Sequence, residues 1–476
     1  MFDLVIRGDK VVTPQGMGAY DLAIAGERIA AVAAPNTIPD SAAERTIDAS
    51  GKFVIPGGID THVHCKWPVV SATGDPTFTE PPSVVSRAAL FGGTTTMLDF
   101  AAWTHGMSIA DAIRKRDQDW VDQCHCDYSY HVLIEGELPL ELPGQIADAI
   151  EDGYPTVKIF TTNVRPLRKG RKIHHGDIWE VFKVLAKHRG LCALHCEDDE
   201  IVMHMYAKLL REGRVSFEHM AEVHNSLSED LSFRRIIKLA ESVPGTALFM
   251  MHVSAATGVA AIAEARQRGV PIYGETLHQY LLYNSDDYRR PNGQIYHTYP
   301  SLKSPADQAA LWEGMKTGAI NSIATDELCC NLSMKTKGSR IDDTTGGNSA
   351  VEPRVALMFT ELVGKRGHTV EEFVDLVSTN AAKIMGLYPR KGALAAGADA
   401  DITILDPAAK RRLTASELHE TDYTPWEGWE VDVWPTMTLM RGKIVVEGGK
   451  FHGSLSDGRY LRRSISEEIV SGAALS

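Results

Sequence analysis

Residues 1 to about 55 alternate apolar and polar positions in short runs, FDLVIRG, KVVTP, YDLAIAGERIAAVA and RTIDASGKFVIPG, separated by Gly and Pro. A period of two between such turns predicts strands with one buried face. The far end repeats this texture in ADITILDP and PTMTLMRGKIVVEGGKF. Between the two ends the pattern changes. Apolar runs, VIPGGIDTHVH, TTTMLDF, YSYHVLI, TVKIF, LCALHC, ALFMMHV, VPIYGE and INSIATD, are separated mostly by stretches with helical periodicity. The spacing predicts helices from Asp177 to His188 closed by Gly190, from Ser228 to Val243 with Ser228 as N-cap, and from Gly258 to Arg268 closed by Gly269. Strands alternating with helices imply a parallel sheet, and eight such units favour a (β/α)8 barrel over a doubly wound sheet. The reading is an α/β chain. Residues 56–385 form the TIM-like barrel, and residues 1–55 and 386–476 supply the two parts of a composite β-sandwich, the second with a tail.

Composition changes this picture little. A chain of 476 residues with 44% hydrophobic content can bury a large core. The net charge of -13, with no long single-sign run, argues against nucleic acid or a membrane surface as a partner. The sequence opens on strand-like alternation, without a leader-type apolar region, and has no apolar run long enough to span a bilayer, which sets a cytoplasmic location as the expectation. Seven cysteines form no CxxC pair and are expected to be reduced. Cys124-His125-Cys126 looks like a metal tract, but two thiols without partners nearby read better as packing.

Candidate chemistry lies at the ends of the predicted strands. His62 and His64 fall late in the first, Lys158 in TVKIF, His195 at the end of LCALH, His252 at the end of LFMMH and Asp326 at the end of NSIATD. Barrel enzymes assemble their sites at these C-terminal ends. Each residue alone has a plain explanation, such as a histidine bonded to a carbonyl, a snorkelling lysine or a capping aspartate. Together they describe a metal site. Two imidazoles two residues apart on a strand face one way. Lys158 lies between Val157, Ile159 and Phe160, where an ammonium is costly to bury, and reaction with carbon dioxide would make it an anionic carbamate able to bridge two divalent ions. His62, His64 and Asp326 would serve one ion and His195 and His252 the other, with the carbamate and a hydroxide between them. Such a pair lowers the pKa of the shared water and polarises a carbonyl, as amide hydrolysis needs. Asp326 would carry the proton from water to the leaving nitrogen.

The segments PGGIDTHVH, GTTTMLDF, VKIF, LHCED, HVSAATG, GETLHQYL, ATDE and NAAKIMGLYPRKGALAAGADADITILDP occur in the order found in the cyclic amidohydrolases. The chain resembles the D-hydantoinase and dihydropyrimidinase branch of the amidohydrolase superfamily over nearly its whole length. The resemblance implies a metal-bearing barrel with a β-sandwich. It also implies two divalent ions, zinc first with manganese or cobalt as substitutes, on His62, His64, carboxylated Lys158, His195, His252 and Asp326. It implies Asp326 as catalytic proton shuttle and ring opening of a small cyclic amide such as a hydantoin or dihydropyrimidine. Substrate contacts through backbone would fall near Tyr299 and Gly346, and the family's usual assembly is a homodimer or homotetramer.

Three positions depart from the family pattern. The tyrosine usual five residues after the bridging lysine is Asn163, whose amide would be a shorter donor to an oxyanion. The histidine usual after the shuttle aspartate is Glu327. Lys66, two residues beyond His64, occupies the place where related dihydroorotases carry a carboxylate-binding arginine, and reads as a rim charge or as a ligand for an anionic substrate. An allantoinase-like or dihydroorotase-like hydrolase of an acidic ureide is therefore the second reading. A non-catalytic assembly relative is the third, disfavoured because all six ligand positions are intact. The chain beyond Gly453 would cover a neighbouring subunit or form a disordered tail.

Overall fold

In the computed structural model of the protein, residues 1–69, 77–472 and 475 are described. Eight parallel strands form the central sheet in sequence order: β1 (Gly58–Asp60), β2 (Thr94–Ala102), β3 (Asp127–Leu133), β4 (Thr156–Phe160), β5 (Leu191–His195), β6 (Ala247–Met250), β7 (Ile272–Leu277) and β8 (Ser322–Ala324). These strands are buried on both faces because helices cover the outside and side chains fill the inside. Closure falls between β8 and β1. The Thr325 hydroxyl donates to Asp60 Oδ2 at 2.7 Å. Beyond the strand ends, His64 N–H donates to the Glu327 carbonyl at 2.8 Å and Glu327 N–H to the His62 carbonyl at 3.1 Å. The lip that carries His62, His64 and Asp326 is thus the seam of the barrel.

The stretch read as one strand, Val54 to His64, belongs to two sheets. Phe53–Pro56 pairs with Ile402–Asp406 in the outer sheet, and Gly58–Asp60 is β1. Gly57 makes the crossing. A Cβ there would lie 2.2 Å from Thr95 Oγ1, so only glycine permits the approach.

The outer sheet has nine strands, from Phe2–Thr13 to Arg28–Ala33 at one end and from Ile402–Asp406 to Lys450–Phe451 at the other. It curls on itself where Ile29 N–H donates to the Ala398 carbonyl at 2.9 Å and Ala400 N–H to the Glu27 carbonyl at 2.9 Å. Ile6, Leu22, Ile24, Ile29, Ile402 and Leu439 fill its interior. Lys391, fully buried, joins this sheet to the barrel by pairing with Asp127 of β3 at 2.6 Å and with Asp399 at 3.1 Å.

Helix ends differ from the expectation by short offsets. The helix expected from Asp177 is His175–His188, and its left-handed cap is Arg189 (φ 56°), not Gly190. The helix expected from Ser228 is Ser226–Glu241, capped by Asn225, whose side chain accepts the Ser228 N–H. The third is Ala256–Gln267, with Gly269 (φ 82°) just beyond it. The tail covers its own chain. Leu461 N–H donates to the Tyr128 carbonyl at 2.7 Å, buried Arg463 donates to Thr156 Oγ1 at 2.8 Å, and Tyr273 donates to the Ile469 carbonyl at 2.7 Å. Ala473, Ala474 and Ser476 lie outside the described residues. Cys124, His125 and Cys126 are buried packing residues. No helix among the described residues is long and apolar enough to cross a membrane.

Candidate metal centre and substrate cavity

One cavity at the C-terminal ends of the strands is lined by His62, His64, Lys158, His195, His252 and Asp326. The imidazoles form a chain. Ring centroids lie 5.2 Å apart for His62 and His64, 5.4 Å for His62 and His252, and 4.5 Å for His252 and His195. Two of the six hold left-handed backbone, His252 at φ 42° and Asp326 at φ 51°. Non-glycine residues adopt this region at a cost and concentrate at functional sites.

His62, His64 and Asp326 offer ligand atoms that all lie within 4.8 Å of one another. Asp326 Oδ1 is 3.1 Å from His62 Nε2 and 3.0 Å from His64 Nε2, and Thr298 donates its hydroxyl to Oδ2 at 3.2 Å. His62 Nδ1 is committed to buried Glu275 at 3.0 Å. Its Nε2 lone pair therefore faces a carboxylate oxygen, which is repulsive unless a cation or a proton lies between them. Burial would raise the Asp326 carboxyl, but His62, His64 and Lys158 outweigh it and hold the group well below the usual carboxylate range.

The opposite wall holds the other three. His195 Nε2 is 2.9 Å from Glu197, whose other oxygen is 2.9 Å from His224 Nδ1. Burial lowers His195 to about 4 and pushes His252 and His64 below the ordinary histidine value, so these imidazoles are neutral and able to ligate. Lys158 is fully buried beside Phe100 and Phe160, with Met251 Sδ 2.9 Å from its Nζ. No carboxylate lies within ion-pair distance of it among the described residues, and burial lowers it to about 8. An amine so placed fits conversion to an anionic ligand.

Tyr299, Gly346 and Gly347 close the cavity. Gly346 is packed so tightly that a Cβ would lie 2.2 Å from the Tyr299 ring. Asn163 is placed elsewhere. Its Oδ1 accepts the N–H groups of Arg171 (3.0 Å) and Lys172 (3.2 Å), and its amide lies 3.4 Å from Asp199, so it fastens a loop and does not line the cavity. Val164 (φ 67°) turns the chain there and faces the cavity itself. Lys66 is half exposed in an outer cleft, its ammonium 2.7 Å from Asp119. Glu327 points away from the cavity into a buried group with Glu420, accepting the Ala350 N–H at 2.7 Å.

The residues that hold the candidate ligands, Glu275 and Glu197, were not singled out from sequence. Glu275 lies inside β7, in GETL, and Glu197 two residues beyond the end of β5, in LHCED; a buried acid in or just after an apolar strand is the signal for both. The loop RPLRKGRK, residues 165–172, follows β4 and carries no motif of its own. Its Arg168 and Arg171 line the cavity.

Residues 177–445 match the amidohydrolase family. A D-hydantoinase of Geobacillus stearothermophilus is 32% identical over 97% of this chain and 96% of its own. A D-hydantoinase of Streptomyces coelicolor is 32% identical over 98% and 99%. The crystal structure of dihydropyrimidinase from Brevibacillus agri superposes with a TM-score of 0.91 at 28% identity, covering 98% of this chain and all of the other.

Proposed function

Because the chain belongs to the amidohydrolase family, in its D-hydantoinase and dihydropyrimidinase branch, we propose that it opens the ring of a cyclic ureide or imide by hydrolysing an amide C–N bond. The observation that carries this reading is the convergence of His62, His64, Lys158, His195, His252 and Asp326 on one cavity. His62, His64 and Asp326 would hold one divalent ion and His195 and His252 a second, with Lys158 as a carbamate between them. The His62 to Asp326 geometry and the unpaired Lys158 amine fit that assignment. Zinc is the first expectation, and manganese or cobalt would serve.

When bound, the ions would supply Lewis-acid polarisation of the substrate carbonyl and a water acidic enough to ionise near pH 7. The protein's own groups do the rest. Glu275 and Glu197 fix the orientation of His62 and His195. Asp326, kept ionised, takes a proton from the attacking water on a carboxylate oxygen and delivers it to the leaving nitrogen. The Thr298 hydroxyl holds Oδ2 while this happens. Tyr299 and the backbone at Gly346 form the wall against which the ring lies, excluding water from the reacting face. The setting is a cytoplasmic homo-oligomer acting on a small molecule.

The test is metal removal. Chelation should abolish turnover of hydantoin and dihydrouracil, and zinc, manganese or cobalt should restore it at about two ions per chain. A metal-free protein that stays active, or a chain that binds no metal, sinks the reading.

A further inference from the structure

Beside the metal-side cavity lies a cleft of about 500 Å³ that shares Trp67, Arg168 and Arg171 with it. Cations dominate its lining although the chain as a whole is acidic. Several of them are already paired: Arg116 with Asp99, Lys66 with Asp119 at 2.7 Å, and Arg171 with Glu135 at 2.8 Å. Arg168 differs. Arg168 lines both spaces, yet no carboxylate lies within 4 Å of its guanidinium among the described residues.

The loop that carries Arg168 is built, not loose. Asn163 accepts two of its N–H groups, the Arg168 N–H donates to the Arg165 carbonyl at 3.0 Å, and the Ile173 N–H returns the chain to the Phe160 carbonyl at 3.0 Å. Asp199 anchors it from outside, accepting the Asn163 N–H at 2.8 Å with Lys172 Nζ 3.3 Å away. Burial, then the charges of Arg171 and Arg165, lowers Arg168 to about 9. A partly buried guanidinium carried on a fixed loop among like charges is stabilised by an anion that can enter. The cleft also has apolar wall. Phe78 and Leu167 line it and are each more than half exposed.

We propose that this protein selects cyclic amides whose ring substituent ends in a carboxylate, with Arg168 binding that carboxylate at the junction of the two spaces while the ring lies against Tyr299. The apolar stem of the substituent lies along Trp67, between the ring and Arg168. This rests on the hydrolase reading above and names its substrate class. It moves anion recognition from Lys66, whose charge Asp119 takes up, to the loop after β4. A planar guanidinium fork suits a flat carboxylate better than a lysine does.

The test uses two probes of nearly equal size, hydantoin-5-acetate and hydantoin-5-acetamide, with the zinc-loaded full chain. The expected kcat/KM ratio favours the acid by about tenfold or more. Arg168→Gln should collapse that ratio by about ten- to a hundredfold, chiefly through KM, and Arg168→Lys should fall between. Calorimetric binding of both probes to the metal-free chain gives the same comparison without turnover. A parental ratio near one, or an unchanged ratio in a folded Arg168→Gln protein, overturns the proposal. If neither probe is hydrolysed but the acid binds in an Arg168-dependent way, the hydrolase reading fails and the anion site stands.

Discussion

Glu275 Oε1 lies 3.0 Å from His62 Nδ1, and Oε2 of the same carboxylate accepts the Thr61 hydroxyl. One buried acid on β7 therefore fixes the tautomer and tilt of an imidazole on the far side of the barrel seam. Such orienting carboxylates are typically worth about 10–100-fold in metal affinity or activity. Glu275→Gln keeps the volume and an acceptor but removes the charge that favours the Nδ1–H form. Competition against a chromophoric chelator should show that weakening, with activity partly regained in excess metal. Parental metal affinity in the variant would refute the role.

Lys158 makes a prediction about assembly of the site. Burial lowers it to about 8. Only the free amine reacts with carbon dioxide, and its fraction rises as pH increases through that value and levels off above it. Reconstitution of metal-free protein with zinc at a fixed concentration of dissolved carbon dioxide should therefore accelerate from pH 6.5 to about 8.5 and then plateau, whereas an ordinary lysine would still be gaining near pH 10. Lys158→Met should hold about one ion per chain and lose activity by several orders of magnitude. A rate independent of carbon dioxide would exclude the carbamate.

The sequence and the structure agree where a residue's type is at odds with its surroundings. Lys158 in TVKIF and the histidines ending LCALH and LFMMH are polar groups in strands buried on both faces, so chain position alone sends them to one lip. Phe53 to His64 was harder, because the switch between sheets depends on Thr95 filling the space beside Gly57, a contact no periodicity contains. Asn163 misled for a related reason. Counting from Lys158 puts it at the mouth, but the left-handed turn at Val164 sends its side chain to the backbone of residues 171 and 172. Arg168 was hidden by averaging, since a chain with net charge -13 gives no hint that one loop concentrates cations over the cavity.

Glu327, where the family pattern has histidine, creates a pH-dependent liability. Burial, then the Glu352 charge, raises Glu420 to about 8, and burial, then the Glu420 charge, pushes Glu327 upward. Glu420 Oε1 accepts the Glu352 N–H at 2.6 Å, but Oε2 has no partner among the described residues. A carboxyl raised in the folded state binds more protons there than when unfolded. Stability therefore falls as pH climbs from about 4.5 to 8. Glu420→Gln removes one ionisation and should gain stability over the parent increasingly between pH 5 and 8, on the order of 1–3 kcal/mol at the upper end, read as a growing difference in Tm. Parallel Tm profiles for the two proteins would show that the cluster does not ionise on its own.

Lys335 is fully buried and donates to the carbonyls of His297 (2.7 Å), Thr345 (2.9 Å) and Gly347. Those carbonyls flank Thr298 and Tyr299 on one cavity wall and Gly346 on the other, so a single amine sets the distance between the walls. Lys335→Met matches the length of the side chain but leaves three buried acceptors short of a donor, at a cost of about 1–3 kcal/mol or more. Because no candidate metal ligand bonds to Lys335, zinc content should stay near the parental value. The walls should loosen, raising KM by about tenfold or more with a smaller change in kcat. A variant with lowered Tm but parental KM would assign Lys335 to stability alone, and loss of zinc would place its influence on Asp326 through Thr298.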